Sequence, residues 1–148
     1  MHAIVLAADG STYSDAAALF VATGKLLKRP LIVHLVHCMA DVLGEVKSYI
    51  SATDLAAWHA DESSRILRSA AEIVNLGGVS FEQHALTGFA PERIVEFARS
   101  VDASAIDVMG THGRGAFFDA IVGSVAGRVI AHAPCPVILV KREAVRGR

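Results

Sequence analysis

A glycine-rich segment near the carboxyl end of the chain separates an apolar run from a helical pattern. Gly110 and Gly113 are followed, after nine intervening residues, by the pair Gly123-Ser124. The apolar run 105–109 before this segment is typical of a buried strand. Glycines between a strand and a helix let backbone N–H groups approach a phosphate without obstruction by a Cβ atom, and a hydroxyl at the helix start adds a donor. The segment therefore predicts a phosphate-binding loop.

The rest of the chain alternates between short apolar runs and helical patterns, which is typical of a parallel sheet covered by helices. Apolar residues make up 53% of the 148 residues, enough to cover a sheet on both faces. We predict one domain, residues 1–148, with an α/β fold: an open five-stranded parallel sheet of order 3-2-1-4-5 with helices on both faces. The predicted strands are 2–8, 31–38, 79–86, 105–109 and 136–140, and the predicted helices are 12–27, 48–76, one from Pro91 and one from Ser124 to Pro134.

The strand order places the glycine-rich segment where such sheets bind ligands. Ligands lie beyond the carboxyl ends of the strands, at the point where the strand order reverses. In the order 3-2-1-4-5 the reversal falls between the first and fourth strands. The residues that follow these strands are Asp9-Gly10-Ser11 and the segment 110–113. Topology and loop composition thus predict the same site.

Charge and composition exclude several classes of protein. The net charge of −1 gives no basis for binding nucleic acid or an anionic membrane. We find no apolar run of about 18 residues that would span a bilayer, and no secretion signal at the start. Two cysteines, Cys38 and Cys135, do not form a disulfide framework. We therefore expect a cytoplasmic protein.

The seven histidines do not predict a metal site. His34 and His37 are three apart on a strand and so face opposite sides of the sheet. His59, His84 and His132 have the sequence context of surface or capping residues. We expect Cys38 to be an unreactive apolar group.

Two better-known phosphate loops do not match. No Gly-Lys-Ser/Thr sequence of a P-loop occurs, since Gly24-Lys25 precedes a leucine inside a predicted helix. A dinucleotide motif beginning at Gly113 would need a glycine at Phe118. The pattern Gly-x2-Gly-x9-Gly-Ser therefore belongs to another class.

This pattern resembles the nucleotide motif of the ATP-binding universal stress proteins, and the resemblance extends over nearly the whole chain. Residues 4–11 resemble the first strand and turn of that family, and residues 108–114 its fourth strand and loop. The closing segments 123–126 and 133–137 are similar as well. The resemblance implies a Rossmann-like fold and an adenine nucleotide, ATP or else ADP or AMP, with Mg²⁺ or Mn²⁺.

The resemblance also implies roles for individual residues. Asp9 is expected near the ribose, and the backbone of Cys38 near the adenine edge. The phosphates are expected against the glycines and the start of the last helix, with Met109 and Arg114 lining the site. The whole candidate set is Ala7, Asp9, Cys38, Met109, Gly110, His112, Gly113, Arg114, Gly123, Ser124 and Val125.

Three functions remain open on the sequence. The first is a regulatory stress-response protein that binds ATP and at most hydrolyses it slowly. The second is a nucleotide-free interaction module. Residues 117–119, Phe-Phe-Asp, favour it because the family is more polar or basic there, whereas the intact Gly123-Ser124 pair argues against it. The third is a small enzyme acting on an adenylated or phosphorylated substrate, with only Asp9 or His112 available as a base.

The last strand predicts an interaction between copies of the chain. Residues 137–140 read Val-Ile-Leu-Val, and the predicted order places them at an edge of the sheet. An open apolar edge strand pairs readily with another strand. We therefore expect a homodimer formed by antiparallel pairing of this strand with its copy, and the resemblance implies the same.

Overall fold

The computed structural model describes residues 1–41, 48–109 and 124–141 of the chain. The predicted glycine loop lies outside these residues, apart from its last member, Ser124. Five strands and four helices alternate along the described residues. They are β1 (His2–Ala7), α1 (Thr12–Thr23), β2 (Leu31–Met39), α2 (Ala52–Leu76), β3 (Ser80–Thr87), α3 (Ala90–Ser100), β4 (Ala105–Met109), α4 (Ser124–His132) and β5 (Val137–Val140).

The strands form one parallel sheet of order β3-β2-β1-β4-β5, which confirms the predicted topology. β1 lies at the centre, between β2 and β4. Its last residue, Ala7, is opposite Val36 of β2 and Val108 of β4. The reversal of strand order therefore lies beside β1, as predicted.

Each face of the sheet carries its own apolar core, because successive side chains of a strand point to opposite faces. Ile4 and Leu6 of β1 belong to the core that α1 and α2 cover. Val5 and Ala7 belong to the core that α3 and α4 cover. Within the described residues, we find no helix with the length and apolar character needed to cross a membrane.

Two helices differ from their predicted bounds at identifiable backbone positions. α1 ends at Thr23 instead of residue 27, because the backbone becomes extended at Gly24, with a ψ of 132°, after the N–H of Gly24 makes the last helical bond to the carbonyl of Phe20. The exposed side chain of Leu26 shows that its helical spacing was fortuitous. α2 is one helix of 25 residues that begins at Ala52 instead of residue 48, because the hydroxyl of Ser51 caps it by accepting a bond from the N–H of Asp54.

The strand β4 contains a buried carboxyl group, which the apolar residues around it in the sequence did not predict. Asp107 is fully buried, at 0% exposure, in the middle of this strand. Both carboxyl oxygens lie without a hydrogen-bond partner among the described residues. Burial raises the pKa of this carboxyl to about 8, so the group is largely protonated at neutral pH. β4 is therefore a buried strand, as predicted, but one that contains a costly polar group.

The turn after β1 requires glycine. Gly10 has a φ of +81°, and a Cβ atom there would lie 3.3 Å from both Cγ2 and the carbonyl oxygen of Ile66. We expect Gly10→Ala to lower the free energy of unfolding by about 1–2 kcal/mol, because alanine is strained at positive φ.

Gly127 provides the matched control for this turn. It lies in α4, where an added Cβ would meet no atom within 4 Å. Gly127→Ala should raise the free energy of unfolding by about 0.5–1 kcal/mol, through helix propensity alone. Urea denaturation of both variants tests the pair, and equal effects would show that the turn conformation is not specific to glycine.

Candidate functional site

The carboxyl ends of β1 and β2 form a continuous edge of backbone and polar groups. The N–H of Ala8, just after β1, donates to the carbonyl of Val36 at 3.0 Å. Ala7 and Ala8 are both buried, so small side chains line this part of the edge. Because the strands are parallel, the residues after β1, β2 and β4 emerge at this same edge.

The turn after β1 places an acidic side chain at the edge. Oδ1 of Asp9 accepts a bond from the N–H of Ser11 at 2.9 Å, and the Asp9 side chain is exposed. Ser11 caps α1, with its hydroxyl accepting from the N–H of Ser14 at 3.3 Å. Asp9 therefore stabilises the turn, and its exposed carboxylate lies two residues beyond the end of β1.

Cys38 lies near the end of β2 with its side chain turned toward a neighbouring loop. Its Sγ lies 3.6 Å from the carbonyl oxygen of Gly88. Partial burial raises the pKa of the thiol, and the nearby Arg93 only partly opposes this. Since the thiolate is the reactive form, the arrangement agrees with the expectation that Cys38 is unreactive.

His37 is a polar residue of this edge that was not among the candidate site residues predicted from the sequence. Its Nδ1 lies 3.0 Å from the hydroxyl of Ser63, which links the end of β2 to α2. Burial lowers the pKa of His37, while the negative charges of Asp9 and Glu62 act in the opposite direction. The ring is thus close enough to Asp9 to sense its charge. The sequence indicated only that His37 lies on the face of β2 opposite to that of His34, which is the face that α2 covers.

The first turn of α4 provides the other side of the candidate site. Ser124 and Val125 are exposed at its start. α4 follows β4, which ends at the carboxyl edge, and its last residue, His132, lies five residues before β5, which begins at the opposite edge, so the start of α4 is the end nearer the carboxyl edge. The first N–H groups of a helix have no acceptor within the helix and favour an anion. This end can therefore bind a phosphate.

The structure places Ala7, Asp9 and Cys38 at one edge of the sheet, at or just after the ends of β1 and β2. Ser124 and Val125 form the start of α4. The backbone of Met109 ends β4 at this edge, opposite Val140 of β5. The remaining predicted site residues lie outside the described residues. They are Gly110, His112, Gly113, Arg114 and Gly123.

Two predictions about the histidines are wrong and one is confirmed. His34 and His37 do face opposite sides of the sheet, because His34 contacts His84 and His37 contacts Ser63. His84 is not an ordinary surface residue, since its Nε2 lies 3.0 Å from Nδ1 of His34. His59 is buried on α2, with its Nε2 unpaired among the described residues. The sequence missed both because the strand register and the packing of α2, which decide their surroundings, cannot be read from local spacing.

Comparison with known proteins shows which family the chain resembles. The model of the universal stress protein family matches residues 1–141. A universal stress protein of Thermus aquaticus, from the QAH/OAS sulfhydrylase 3'region, is 33% identical over 140 residues, which cover 93% of this chain and 97% of that one. The chain spans 48% of the length of the curated relatives from Methanocaldococcus jannaschii and Mycobacterium tuberculosis that it matches.

Solved structures show the same fold. A universal stress protein from Archaeoglobus fulgidus is 32% identical, with a TM-score of 0.73 over 95% of this chain and 99% of that one. The structure of the universal stress protein from this organism in complex with dAMP is 30% identical, with a TM-score of 0.68 over 95% of this chain and 98% of that one.

Proposed function

The chain belongs to the universal stress protein family, and we propose on that basis that it binds an adenine nucleotide at the carboxyl ends of β1 and β4. The observation that carries the proposal is the reversal of strand order between β1 and β4, with the exposed Asp9 just after β1 and the exposed first turn of α4 in the connection that follows β4. The Archaeoglobus fulgidus relative was solved with dAMP, which consists of an adenine base, a sugar and one phosphate. We infer that the same class of ligand suits this chain.

The described residues fit the parts of such a ligand. The carboxylate of Asp9 can accept hydrogen bonds from the ribose hydroxyls, which are donors that a carboxylate favours. The backbone at the end of β2, around Cys38, can meet the adenine edge. The hydroxyl of Ser124 and the free N–H groups of the first turn of α4 suit a phosphate.

We further propose that ATP with Mg²⁺ or Mn²⁺ is the physiological ligand, and that the protein regulates a stress response by binding and not by rapid turnover. Phosphate oxygens supply most of the ligands that these hard cations prefer. Gly110, His112, Gly113, Arg114 and Gly123 complete the proposed phosphate site. A nucleotide-dependent change in the loop that contains them would alter the surface offered to a partner protein.

Analysis of the nucleotide that accompanies the protein tests the proposal. Protein purified without added nucleotide is heated, and the released small molecules are identified by mass spectrometry. We expect ATP, ADP or AMP at a substantial fraction of one equivalent. The stripped protein should then show a thermal shift with adenine nucleotides but not with CTP. No released nucleotide and no thermal shift would contradict the proposal and favour a nucleotide-free interaction module.

The open edge of β5 supports a second proposal, a homodimer. Leu139 of this strand is 40% exposed although it is a large apolar residue. Antiparallel pairing of β5 with its copy would cover it and would satisfy the free backbone groups of the edge.

We expect sedimentation equilibrium at micromolar concentration to give twice the mass of one chain. Leu139→Lys should raise the dimer dissociation constant at least about 10-fold, because it brings like charges together across the two-fold axis. Ile130→Lys is the matched control, since Ile130 is similarly exposed but lies on α4. A monomeric wild type, or equal effects of the two changes, would refute pairing through β5.

A further inference from the structure

Three side chains with metal-ligating atoms meet on the sheet face that α3 covers. His34 lies on β2, and Glu82 and His84 lie on β3. Glu82 is directly opposite His34 in the parallel register, and His84 is two residues further along β3. Because residues two apart on a strand share a face, the register alone brings all three together.

The distances between the ligating atoms match those in a metal site. Nδ1 of His34 lies 3.0 Å from Nε2 of His84, and each nitrogen lies 3.6 Å from Oε2 of Glu82. The circle through these three atoms has a radius of about 2.0 Å, so a metal slightly out of their plane lies at the length of a bond from Zn²⁺ to nitrogen or oxygen and keeps a fourth, tetrahedral position free. We propose that His34, Glu82 and His84 form a binding site for a divalent transition metal, with Zn²⁺ as the best fit.

The chemistry of the three ligands selects among metals. Two imidazoles and one carboxylate suit Zn²⁺ and Co²⁺, whereas Mg²⁺ and Ca²⁺ prefer ligand sets made of oxygen alone. Three protein ligands leave one tetrahedral position, which water fills in sites that are open to solvent. The side chain of His34 is only 10% exposed, but those of His84 and Glu82 are 27% and 57% exposed. The site is therefore anchored in the protein and open on the side of β3.

An aromatic side chain of α3 restricts the two imidazoles. The ring of Phe97 lies 4.5 Å from the ring of His84 and 5.6 Å from that of His34, measured between centroids. These contacts limit rotation of both histidines, so the ligands are positioned before a metal arrives. Preorganised side chains of this kind lose little conformational entropy on binding.

Metal binding would join β3, an edge strand, to β2. A metal bound by ligands from both strands would act as a cross-link, which is lost when the strands separate. Because the metal binds only the folded arrangement, its binding free energy adds to the stability of the fold. His34 lies opposite Val5, in the middle of the sheet, and not at the edge proposed for the nucleotide. The inference therefore does not depend on the proposed function.

Titration of the full chain with Zn²⁺ tests the proposal. The protein is prepared without an affinity tag, freed of nucleotide and treated with a chelator that is then removed. We expect one equivalent of Zn²⁺ to bind with excess Mg²⁺ present and to raise the melting temperature. Co²⁺ should give the visible absorption bands of a tetrahedral nitrogen and oxygen site. No Zn²⁺ binding by the wild type would overturn the proposal and leave an ordinary hydrogen bond between His34 and His84.

Variants assign the ligands. Glu82→Gln and His84→Gln should each weaken Zn²⁺ binding more than about 100-fold, since losing a ligand costs more than losing a residue that merely orients one. His132→Gln, an exposed histidine on α4, is the matched control and should bind as the wild type does. Glu82 is exposed, so its replacement should leave the metal-free melting temperature nearly unchanged. Wild-type affinity in both ligand variants would refute this site even if Zn²⁺ binds elsewhere.

Discussion

Asp107→Asn should make the protein more stable than the wild type at neutral pH and remove a large pH dependence. Burial raises the pKa of Asp107 from 3.8 to about 8, so the folded state retains a proton that the unfolded state releases. The wild type should therefore lose stability as the pH rises through this interval. At 1.36 kcal/mol per pKa unit, the loss from Asp107 between pH 4 and pH 7 is about 4 kcal/mol. Asparagine has nearly the same shape and no proton to lose.

Urea denaturation of the wild type and Asp107→Asn between pH 4 and pH 8 measures this effect. The two proteins should be similar in stability near pH 4 and should diverge steadily above it. Asp61→Asn is the control, because Asp61 is exposed on α2 and should leave the profile unchanged. A constant difference between wild type and Asp107→Asn at all pH values would show that Asp107 is ionised or paired in the folded protein.

Gly123→Val should reduce affinity for the adenine nucleotide more than about 100-fold while leaving the fold intact. A valine side chain next to Ser124 would block the approach of phosphate to the first N–H groups of α4, and losing several charge-assisted hydrogen bonds has an effect of this size. Isothermal titration calorimetry with stripped protein measures the affinity, and circular dichroism checks the fold.

Gly127→Val is the control for this change. It makes the same substitution four residues later, at a position where an added Cβ meets no atom within 4 Å. It should bind nucleotide as the wild type does, with a small gain in helix stability because valine has a higher helix propensity than glycine. Equal affinities for both variants and the wild type would mean that the glycine pattern shapes a turn and does not bind phosphate.

The sheet was predictable from the sequence because its signal is repeated and local. Every strand except β3 is a short apolar run, the helices show their own period, and the alternation of the two implies parallel pairing. The order β3-β2-β1-β4-β5 and the bounds of β4 were predicted correctly. Helix ends were less predictable because the backbone conformation of a single residue decides them, as the extended conformation of Gly24 does for α1.

The polar groups that the sequence missed all depend on contacts between distant segments. His84 becomes informative only when the register of β2 and β3 places it beside His34. His37 acquires its partner, Ser63, from a helix 26 residues away. Asp107 looked like a tolerated polar residue in an apolar run, and only the layers on both sides of β4 make it costly. Properties that side chains acquire through tertiary contacts produce no regular spacing in the sequence, so they cannot be predicted from it.

Backbone NMR of the ¹⁵N-labelled, nucleotide-free protein during titration with AMP and with Mg-ATP tests most directly where the ligand binds. We predict saturable shifts confined to the amides of residues 9–11, 37–39 and 109–125. Residues at the opposite end of the sheet, such as Ala3 and Ser104, should not respond. Shifts centred away from the carboxyl ends of β1 and β4, or no shifts at millimolar nucleotide, would contradict the proposed site.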